Sequence, residues 1–251
     1  MISIDLNCDM GESFGTWRMG NDAELMNYVS SINVACGFHA GDARTMRETV
    51  QIAQQKGVAI GAHPSFPDLQ GFGRREMSLS SQEIFDIVLY QVSALKGICE
   101  AFGAKLRHVK PHGALYNLAA RDKKVATAVA EAVCRIDNKL IFYGLSGSFL
   151  ISEADKIGLK TASEVFADRT YQKDGSLTPR SQPNALIDSR EDSIKQVLQM
   201  VLDGTVTAVT GEIIPITAET ICIHGDGTHA VEFANVINQS LREKSIKIKA
   251  I

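Results

Sequence analysis

Seven short runs of β-branched and aliphatic residues alternate with longer helical patterns along this 251-residue chain. Each short run is bounded by Gly, Pro or polar residues, which is typical of strands. The predicted strands are Ile2–Leu6, Ser31–Ala35, Val58–Gly61, Leu106–Lys110, Leu140–Gly144, Lys160–Glu164 and Thr220–Ile223. The predicted helices are Ala43–Lys56, Ser80–Phe102, Asp122–Arg135, Phe149–Lys156, Arg190–Leu202 and Thr228–Lys244. This alternation indicates parallel strands joined by crossover helices.

Two α/β architectures fit this alternation, a closed (β/α) barrel and an open doubly wound sheet. An open sheet gathers functional groups at one switch point, whereas a barrel delivers every strand's C-terminal end to a common rim. Nearly every predicted strand ends in polar or ionisable residues, and only the fifth, which runs into Gly144–Ser148, ends without a charge. We therefore predict an irregular seven-stranded (β/α) barrel, one strand short of the usual eight, as a single domain over residues 1–251.

Two polar stretches lie outside this alternation, Pro64–Ser78 and Ala167–Ser189. We expect them to be loops on the C-terminal face, where such a barrel builds a lid. A third stretch, Val206–Thr217, has Gly211 between two apolar runs and is predicted to be a small hairpin before the last strand.

Composition excludes several classes of protein. Net charge is −3 and no basic stripe is interleaved with aromatic residues, so we expect no nucleic-acid partner. No apolar run approaches the roughly 18 residues of a membrane-spanning helix, and the acidic N-terminal stretch does not resemble a signal peptide. The five cysteines form no CxxC pair and are expected to be reduced thiols. These features predict a cytoplasmic globular protein with no membrane partner.

Alternating polar residues mark the exit of the first strand. Asp5, Asn7 and Asp9 project to one side of an extended chain. Clustered carboxylates either bind a cation or shift each other's pKa values, which makes Asp5 and Asp9 candidate catalytic groups and Asn7 a candidate substrate ligand. The alternative interpretation is an Asx-rich turn that caps the next segment.

Two histidines follow the second and third strands. His39 stands between Gly37 and Gly41, a setting that offers it little helical or strand packing, and His63 precedes a proline. One Asp with two His is a common ligand set for a divalent metal that keeps open positions, so Asp9, His39 and His63 are candidate metal ligands. Asp42, directly before a predicted helix, is expected to cap it.

The stretch HVKPHGALYN places Lys110 and His112 where the fourth strand gives way to a loop. A lysine in a cavity must be paired or lose its charge, and Asp5 or Glu164 could hold it charged toward a substrate oxyanion or carboxylate. His112 could then act as acid or base near neutral pH. The alternative for Lys110 is a purely structural ion pair. Arg180, on the second polar stretch, either clamps a carboxylate or faces water.

Motifs for binding a nucleotide are missing from the sequence. We find no GxxxxGK[ST] loop and no GxGxxG after a strand, and Gly71-Phe72-Gly73-Arg74 neither has the third glycine nor opens a helix. If the reaction uses ATP, we expect another polypeptide to bind it.

Together these segments resemble the LamB/YcsF family. The matching stretches, between residue 5 and about residue 231, are DLNCDMGESFG, NVACGFHAGD, GAHPSFPDLQGFGRREM, VKPHGALYN, EVFADRTYQKDGSLTPRS and CIHGDGTHAV. The resemblance implies the barrel of the glycoside hydrolase/deacetylase superfamily, which often holds a metal through Asp and His. It also implies the A component of a bacterial 5-oxoprolinase, which opens the 5-oxoproline lactam to glutamate with ATP and two further subunits, B and C.

On this basis we expect one set of catalytic residues and one set of substrate ligands at the rim. The catalytic candidates are Asp5, Asp9, Lys110 and His112, and the substrate-binding candidates are Asn7, Glu164, Arg180 and His224. Two alternatives remain. One is a metal-dependent deacetylase or amidohydrolase that acts alone, and the other is a non-catalytic polypeptide that binds a small ligand.

Overall fold

The computed structural model describes residues 2–187, 189–223 and 230–251. The strands in this part of the chain are β1 (Ser3–Met10), β2 (Ser31–Ala35), β3 (Ala59–His63), β4 (Leu106–Val109), β5 (Ile141–Leu145), β6 (Lys160–Phe166), β7 (Thr205–Thr207), β8 (Ile213–Pro215), β9 (Thr220–Ile223) and β10 (Lys247–Ile248). The helices are α1 (Asp22–Leu25), α2 (Ala43–Lys56), α3 (Ser81–Ala101), α4 (Gly113–Arg121), α5 (Lys123–Ile136), α6 (Phe149–Lys156), α7 (Arg190–Leu198) and α8 (Ala230–Glu243), and a π-helical turn, Gln199–Asp203, continues α7.

Seven parallel strands close into a barrel in the order β1, β2, β3, β4, β5, β6 and β9. Closure is made by β9, which pairs with β6 on one side and with β1 on the other, where Asp5 stands opposite Thr220. These are the seven strands expected from the sequence, so the prediction of a seven-stranded (β/α) barrel is confirmed. The predicted hairpin is also present, as the antiparallel pair β7 and β8.

Helix boundaries follow from side chains that bind the free backbone groups at helix ends. Asp42 accepts a hydrogen bond from the Thr45 backbone N–H at 2.8 Å and begins α2, as expected, and Gly57 ends this helix in the left-handed conformation with φ of +69°. Ser80 and Glu83 form a capping box at the start of α3. Among the described residues, no helix is both long and apolar enough to cross a membrane.

The inside of the barrel is polar. Along β1, Leu6, Cys8 and Met10 are buried under the helices, while the alternate residues enter the barrel and bond to other strands. Across the interior, His108 Nε2 lies 2.8 Å from Asn33 Oδ1, and the His108 ring stacks on Tyr143 with centroids 4.1 Å apart. A network of this kind holds side chains in fixed positions beneath the C-terminal rim.

Glycine is required where the His108 ring crosses the barrel. A Cβ at Gly61 on β3 would lie 2.0 Å from His108 Nε2, so any side chain there would displace the ring. The paired strands β3 and β4 also shift register between Ile60 and Gly61. Close packing of an imidazole against bare backbone therefore explains a glycine inside a strand.

Candidate active site

Lys110 lies at the centre of the site, directly after β4 and 2% exposed. Its Nζ is 3.0 Å from Asp9 Oδ1, 2.9 Å from Glu164 Oε1 and 3.0 Å from Cys222 Sγ. Burial disfavours the ammonium, but the charges of Asp9 and Glu164, with the hydrogen bond to Cys222 Sγ, hold the pKa of Lys110 well above its usual value. The structure thus keeps a charged lysine between two carboxylates.

Asn7 and Glu164 hold Lys110 in place. Asn7 Oδ1 lies 3.3 Å from Lys110 Nζ, and Asn7 Nδ2 donates to Glu164 Oε1 at 3.0 Å. Tyr116 donates its hydroxyl hydrogen to Glu164 Oε2 at 2.7 Å. Both Asn7 and Glu164 are fully buried, and neither is among the described residues that line the neighbouring cavity. Their contacts favour a supporting position beneath Lys110 over the direct substrate contact expected from the sequence.

Asp5 lies deeper in the barrel than the sequence suggested. Ser30, Ser31, Thr220 and Tyr143 all donate hydroxyl hydrogens to its carboxylate, at 2.6 to 2.9 Å. Burial raises the pKa of Asp5, and these hydrogen bonds oppose that shift. Asp5 is 1% exposed and is not among the described cavity-lining residues. The expected catalytic role of Asp5 therefore has no geometric support. Its hydrogen bonds instead connect β1 to other strands of the barrel.

Three imidazoles gather at the ends of β2, β3 and β4. His63 Nδ1 lies 2.7 Å from the Lys110 carbonyl oxygen, and His112 Nε2 lies 2.9 Å from the Phe72 carbonyl oxygen. A carbonyl oxygen only accepts, so each of these nitrogens carries its ring hydrogen. The remaining nitrogens, His63 Nε2 and His112 Nδ1, face each other at 2.9 Å. The third imidazole, His39, stacks on His112 with ring centroids 3.9 Å apart.

Glu12, two residues after β1, completes this group. Its Oε1 lies 3.7 Å from His39 Nε2 and 3.9 Å from His112 Nδ1. One ligand atom from each of Glu12, His39, His63 and His112 lies within 4.8 Å of the others, and all four residues are buried, so the group could hold a metal ion. Asp9, which the sequence suggested as a ligand, lies beside the group, with Oδ2 3.2 Å from His63 Nε2. Its Oδ1 accepts from Lys110 and Asn33 instead.

A cavity of about 890 Å³ opens above Lys110. Asp9, Glu12, His63 and His112 line one part of it, and the loop that follows β6 lines another. Arg180 on that loop is exposed and lines the cavity, a position that is open both to water and to a ligand. His224, the remaining substrate-binding candidate, lies outside the described residues.

Arg169 is a cavity residue that the sequence analysis missed. It is 4% exposed and donates to the Thr178 and Ala185 carbonyl oxygens, at 2.6 and 3.3 Å. Burial, followed by the charge of Arg180, lowers its pKa to about 10. Arg169 lies three residues after β6, in the same loop as Arg180. The presence of two arginines in one polar stretch is the sequence feature that could have identified Arg169.

The comparisons with known proteins agree with this architecture. The LamB/YcsF family model matches residues 4–251. The chain is 58% identical over 251 residues to the 5-oxoprolinase A subunit of Tolumonas auensis, covering 100% of both chains. It superposes on the "Lactam Utilization Protein" of Thermus thermophilus with a TM-score of 0.94, 44% identity and 100% coverage of each chain.

A more distant structure shows the shared fold. A family 4 carbohydrate esterase from Streptomyces lividans superposes with a TM-score of 0.54 at 13% identity, covering 99% of this chain and 92% of that one. The chain thus shares the barrel fold of that esterase. With the family model matched from the first barrel strand to the last residue, this chain belongs to the LamB/YcsF family.

Proposed function

We propose that this chain is the A subunit of a 5-oxoprolinase, and that it opens the 5-oxoproline lactam to L-glutamate in an ATP-dependent reaction with subunits B and C. The observation that carries the proposal is the full-length likeness, 58% over 251 residues, to a relative that bears this name. The "lactam" in the name of the Thermus thermophilus relative supports the same substrate class.

The charges around the cavity suit this reaction. 5-Oxoproline carries one carboxylate and one lactam carbonyl, and both attract a cation. In our proposal the Lys110 ammonium stabilises the negative charge on the lactam oxygen as it is phosphorylated, and then the charge of the phosphoryl group it carries, because the ammonium is fixed in place before the substrate binds. Arg180 binds the substrate carboxylate. Arg169 adds positive charge beneath Arg180.

Asp9 is the carboxylate we assign to proton transfer. It lines the cavity, and the Lys110 and Asn33 hydrogen bonds fix the position of its Oδ1. In the proposed sequence Asp9 takes a proton from the attacking water and returns it to the ring nitrogen as the C–N bond breaks. We assign His112 a supporting position, because its Nε2 is engaged by the Phe72 carbonyl oxygen and burial holds its pKa well below the usual value.

ATP, in this proposal, is bound by subunits B and C, which transfer its γ-phosphoryl group to the lactam oxygen and release ADP. Water then adds to the activated carbon, the ring C–N bond breaks to leave an acyl phosphate, and hydrolysis of that acyl phosphate releases phosphate and glutamate. The absence of a phosphate-binding GxxxxGK[ST] loop from this sequence supports that division of labour. We also propose a cytoplasmic location, which the five free cysteines of the structure support, because thiols stay reduced there.

The proposal is tested by mixing this purified chain with B and C and following ATP-dependent release of glutamate from 5-oxoproline. We expect no release without this chain, and a loss of at least about a hundredfold in kcat/KM for Lys110→Met, because a fixed charge at the reacting oxygen is removed. Lys160→Met is the matched control, since it removes an exposed lysine at the start of β6 and should leave kcat/KM unchanged. The folded fraction of each variant is checked by urea unfolding.

Different results would favour the other two candidate functions. The Glu12 and histidine group is the observation that favours a metal-dependent amidohydrolase or deacetylase, and hydrolysis by this chain alone without ATP would support that function instead. Full ATP-dependent turnover by folded Lys110→Met would contradict the catalytic assignment and leave a polypeptide that only binds 5-oxoproline.

A further inference from the structure

The strongest unassigned feature is the group formed by Glu12, His39, His63 and His112, which we call the histidine cluster. We propose that this cluster binds one divalent cation of the zinc type. Its four residues come from the C-terminal ends of four consecutive strands, β1 to β4, so the barrel itself brings them together. The proposal differs from a site built on Asp9, His39 and His63.

The first argument is the pair of imidazole nitrogens that face each other. Backbone carbonyl oxygens of Lys110 and Phe72 fix the ring hydrogens on His63 Nδ1 and His112 Nε2. His63 Nε2 and His112 Nδ1 therefore present two lone pairs to each other at 2.9 Å. Two lone pairs repel at this distance unless a cation lies between or beside them.

The second argument is that these same backbone contacts are the ones metal-binding histidines make. A ligating imidazole almost always donates its other ring N–H to a carbonyl or carboxylate, which fixes the tautomer and the ring orientation. His63 and His112 both follow this rule, each with the free nitrogen turned toward the cluster.

The third argument is His39. It is 0% exposed, and neither of its ring nitrogens has a hydrogen-bond partner within the described ranges of the chain. A buried imidazole without partners costs free energy, and a cation at Nε2 would satisfy one of its two nitrogens. His39 Nε2 is the ring nitrogen that faces the cluster, 3.7 Å from Glu12 Oε1.

A shared proton is the competing explanation for the facing nitrogens. It is disfavoured because a proton held between His63 and His112 would leave both ring nitrogens of the buried His39 without a partner in the described part of the chain, although His39 Nε2 points to Glu12 Oε1 at 3.7 Å.

The loop around Phe72, which follows β3, covers one side of the cluster. The Phe72 ring meets His39 and His112 edge-on, with centroids 5.7 and 5.3 Å apart. A Cβ at Gly73 would lie 2.8 Å from His39 Cβ and 2.9 Å from His112 Cδ2, so only glycine lets the loop pack this closely.

The donor set decides the class of cation. Three imidazoles and one carboxylate suit Zn²⁺ and similar borderline ions, whereas Mg²⁺ and Ca²⁺ prefer oxygen ligands alone. When bound, such an ion supplies Lewis-acid chemistry to the cavity that Glu12, His63 and His112 line.

The test measures metal binding by this chain alone, so its outcome does not depend on the proposed lactam hydrolysis. Protein stripped with a chelator is titrated with Zn²⁺ and Co²⁺, and bound metal is counted by elemental analysis. We expect about one ion per chain, a visible ligand-field absorption for the Co²⁺ form, and a higher melting temperature with metal than without it.

Substitutions locate the ion. His39→Gln and His112→Gln should each weaken Zn²⁺ binding by at least about tenfold, whereas His108→Gln should retain it. His108 is the matched control, because it is equally buried in the same barrel but bonds to Asn33 outside the cluster. Circular dichroism confirms that each variant is folded.

Two results would overturn the proposal. One is wild-type protein that binds neither Zn²⁺ nor Co²⁺ and melts at the same temperature with and without them. The other is folded His39→Gln that binds metal as tightly as wild type. The first result does not depend on the folding of any variant. Glutamate release in the presence of a chelator would show that the proposed function holds without the metal.

Discussion

At the level of single residues, Lys110 shows how one position supports two parts of the site. Its ammonium lies between Asp9 and Glu164, and its carbonyl oxygen fixes the ring hydrogen of His63. A buried ion pair of this kind need not stabilise the fold, because each charge loses its contact with water. Its value here is a lysine whose charge and direction are set before any ligand enters.

Sequence reasoning placed Asp9, Lys110, His39 and His63 near one another at the rim, since strand alternation and strand ends determine which side chains reach it. Their roles there stay predictions. The same reasoning did not include Glu12 in the candidate metal group and did not distinguish the roles of the histidines. Those choices depend on carbonyl oxygens from Lys110 and Phe72, which come together only in the folded chain. Asp5 was misplaced because alternation gives the side of a strand but not the depth in the barrel.

The tightest backbone approach in the barrel gives a prediction at this scale. Gly61→Ala places a Cβ 2.0 Å from His108 Nε2 and should lower the free energy of unfolding by at least about 1–3 kcal/mol. Gly97→Ala is the control, because Gly97 is exposed inside α3 with no atom within 4 Å of the new Cβ. It should raise the free energy of unfolding by about 0.5–1 kcal/mol. Urea unfolding measures both, and equal effects would contradict the account of Gly61.

At the level of elements, sequence reasoning worked best where the end of an element is fixed by its own residues. The predicted bounds of α2 and α6 match the structure, because Asp42, Gly57 and Ser148 act locally. Helix α4 was missed because Pro111 and Gly113 suggested a loop, although proline and glycine also suit the chain just before a helix. Strand β10 has two residues and exists only through its pairing with β1, which no local pattern reveals.

The capping box of α3 gives a prediction for this element. Ser80→Ala removes the acceptor for the Glu83 backbone N–H and should lower the free energy of unfolding by about 1 kcal/mol. Ser93→Ala, at an exposed position within the same helix, should instead leave it unchanged or raise it slightly, since alanine has the higher helix propensity. Thermal or urea unfolding compares them, and a loss at Ser93 as large as that at Ser80 would contradict the capping assignment.

At the level of the whole molecule, the barrel closes around ionisable groups that must remain in fixed charge states. His108 is the clearest example. Burial, followed by the charges of Lys110 and His63, lowers its pKa to about 3 from the usual 6.5, while Asp9 opposes the shift. The folded barrel therefore excludes a proton that the unfolded chain accepts.

The sign of the pH dependence follows from this difference. Between pH 6.5 and about 3 the unfolded state binds more protons at His108, so stability falls as the pH falls through that window and is unaffected by His108 above it. Urea unfolding from pH 7.5 to 4.5 should show this decline, and His108→Gln should show a shallower one. If the two proteins have the same slope, the buried His108 is not the source of the acid sensitivity.

The loop around Phe72 determines which residues of the histidine cluster a ligand in the cavity can reach. His39 is wholly covered, whereas Glu12, His63 and His112 reach the cavity. A ligand in the cavity can therefore reach Glu12, His63 and His112 but not His39. Because Arg169 and Arg180 line the same cavity, a bound ligand meets a carboxylate and two imidazoles on one part of its surface and two guanidinium groups on another.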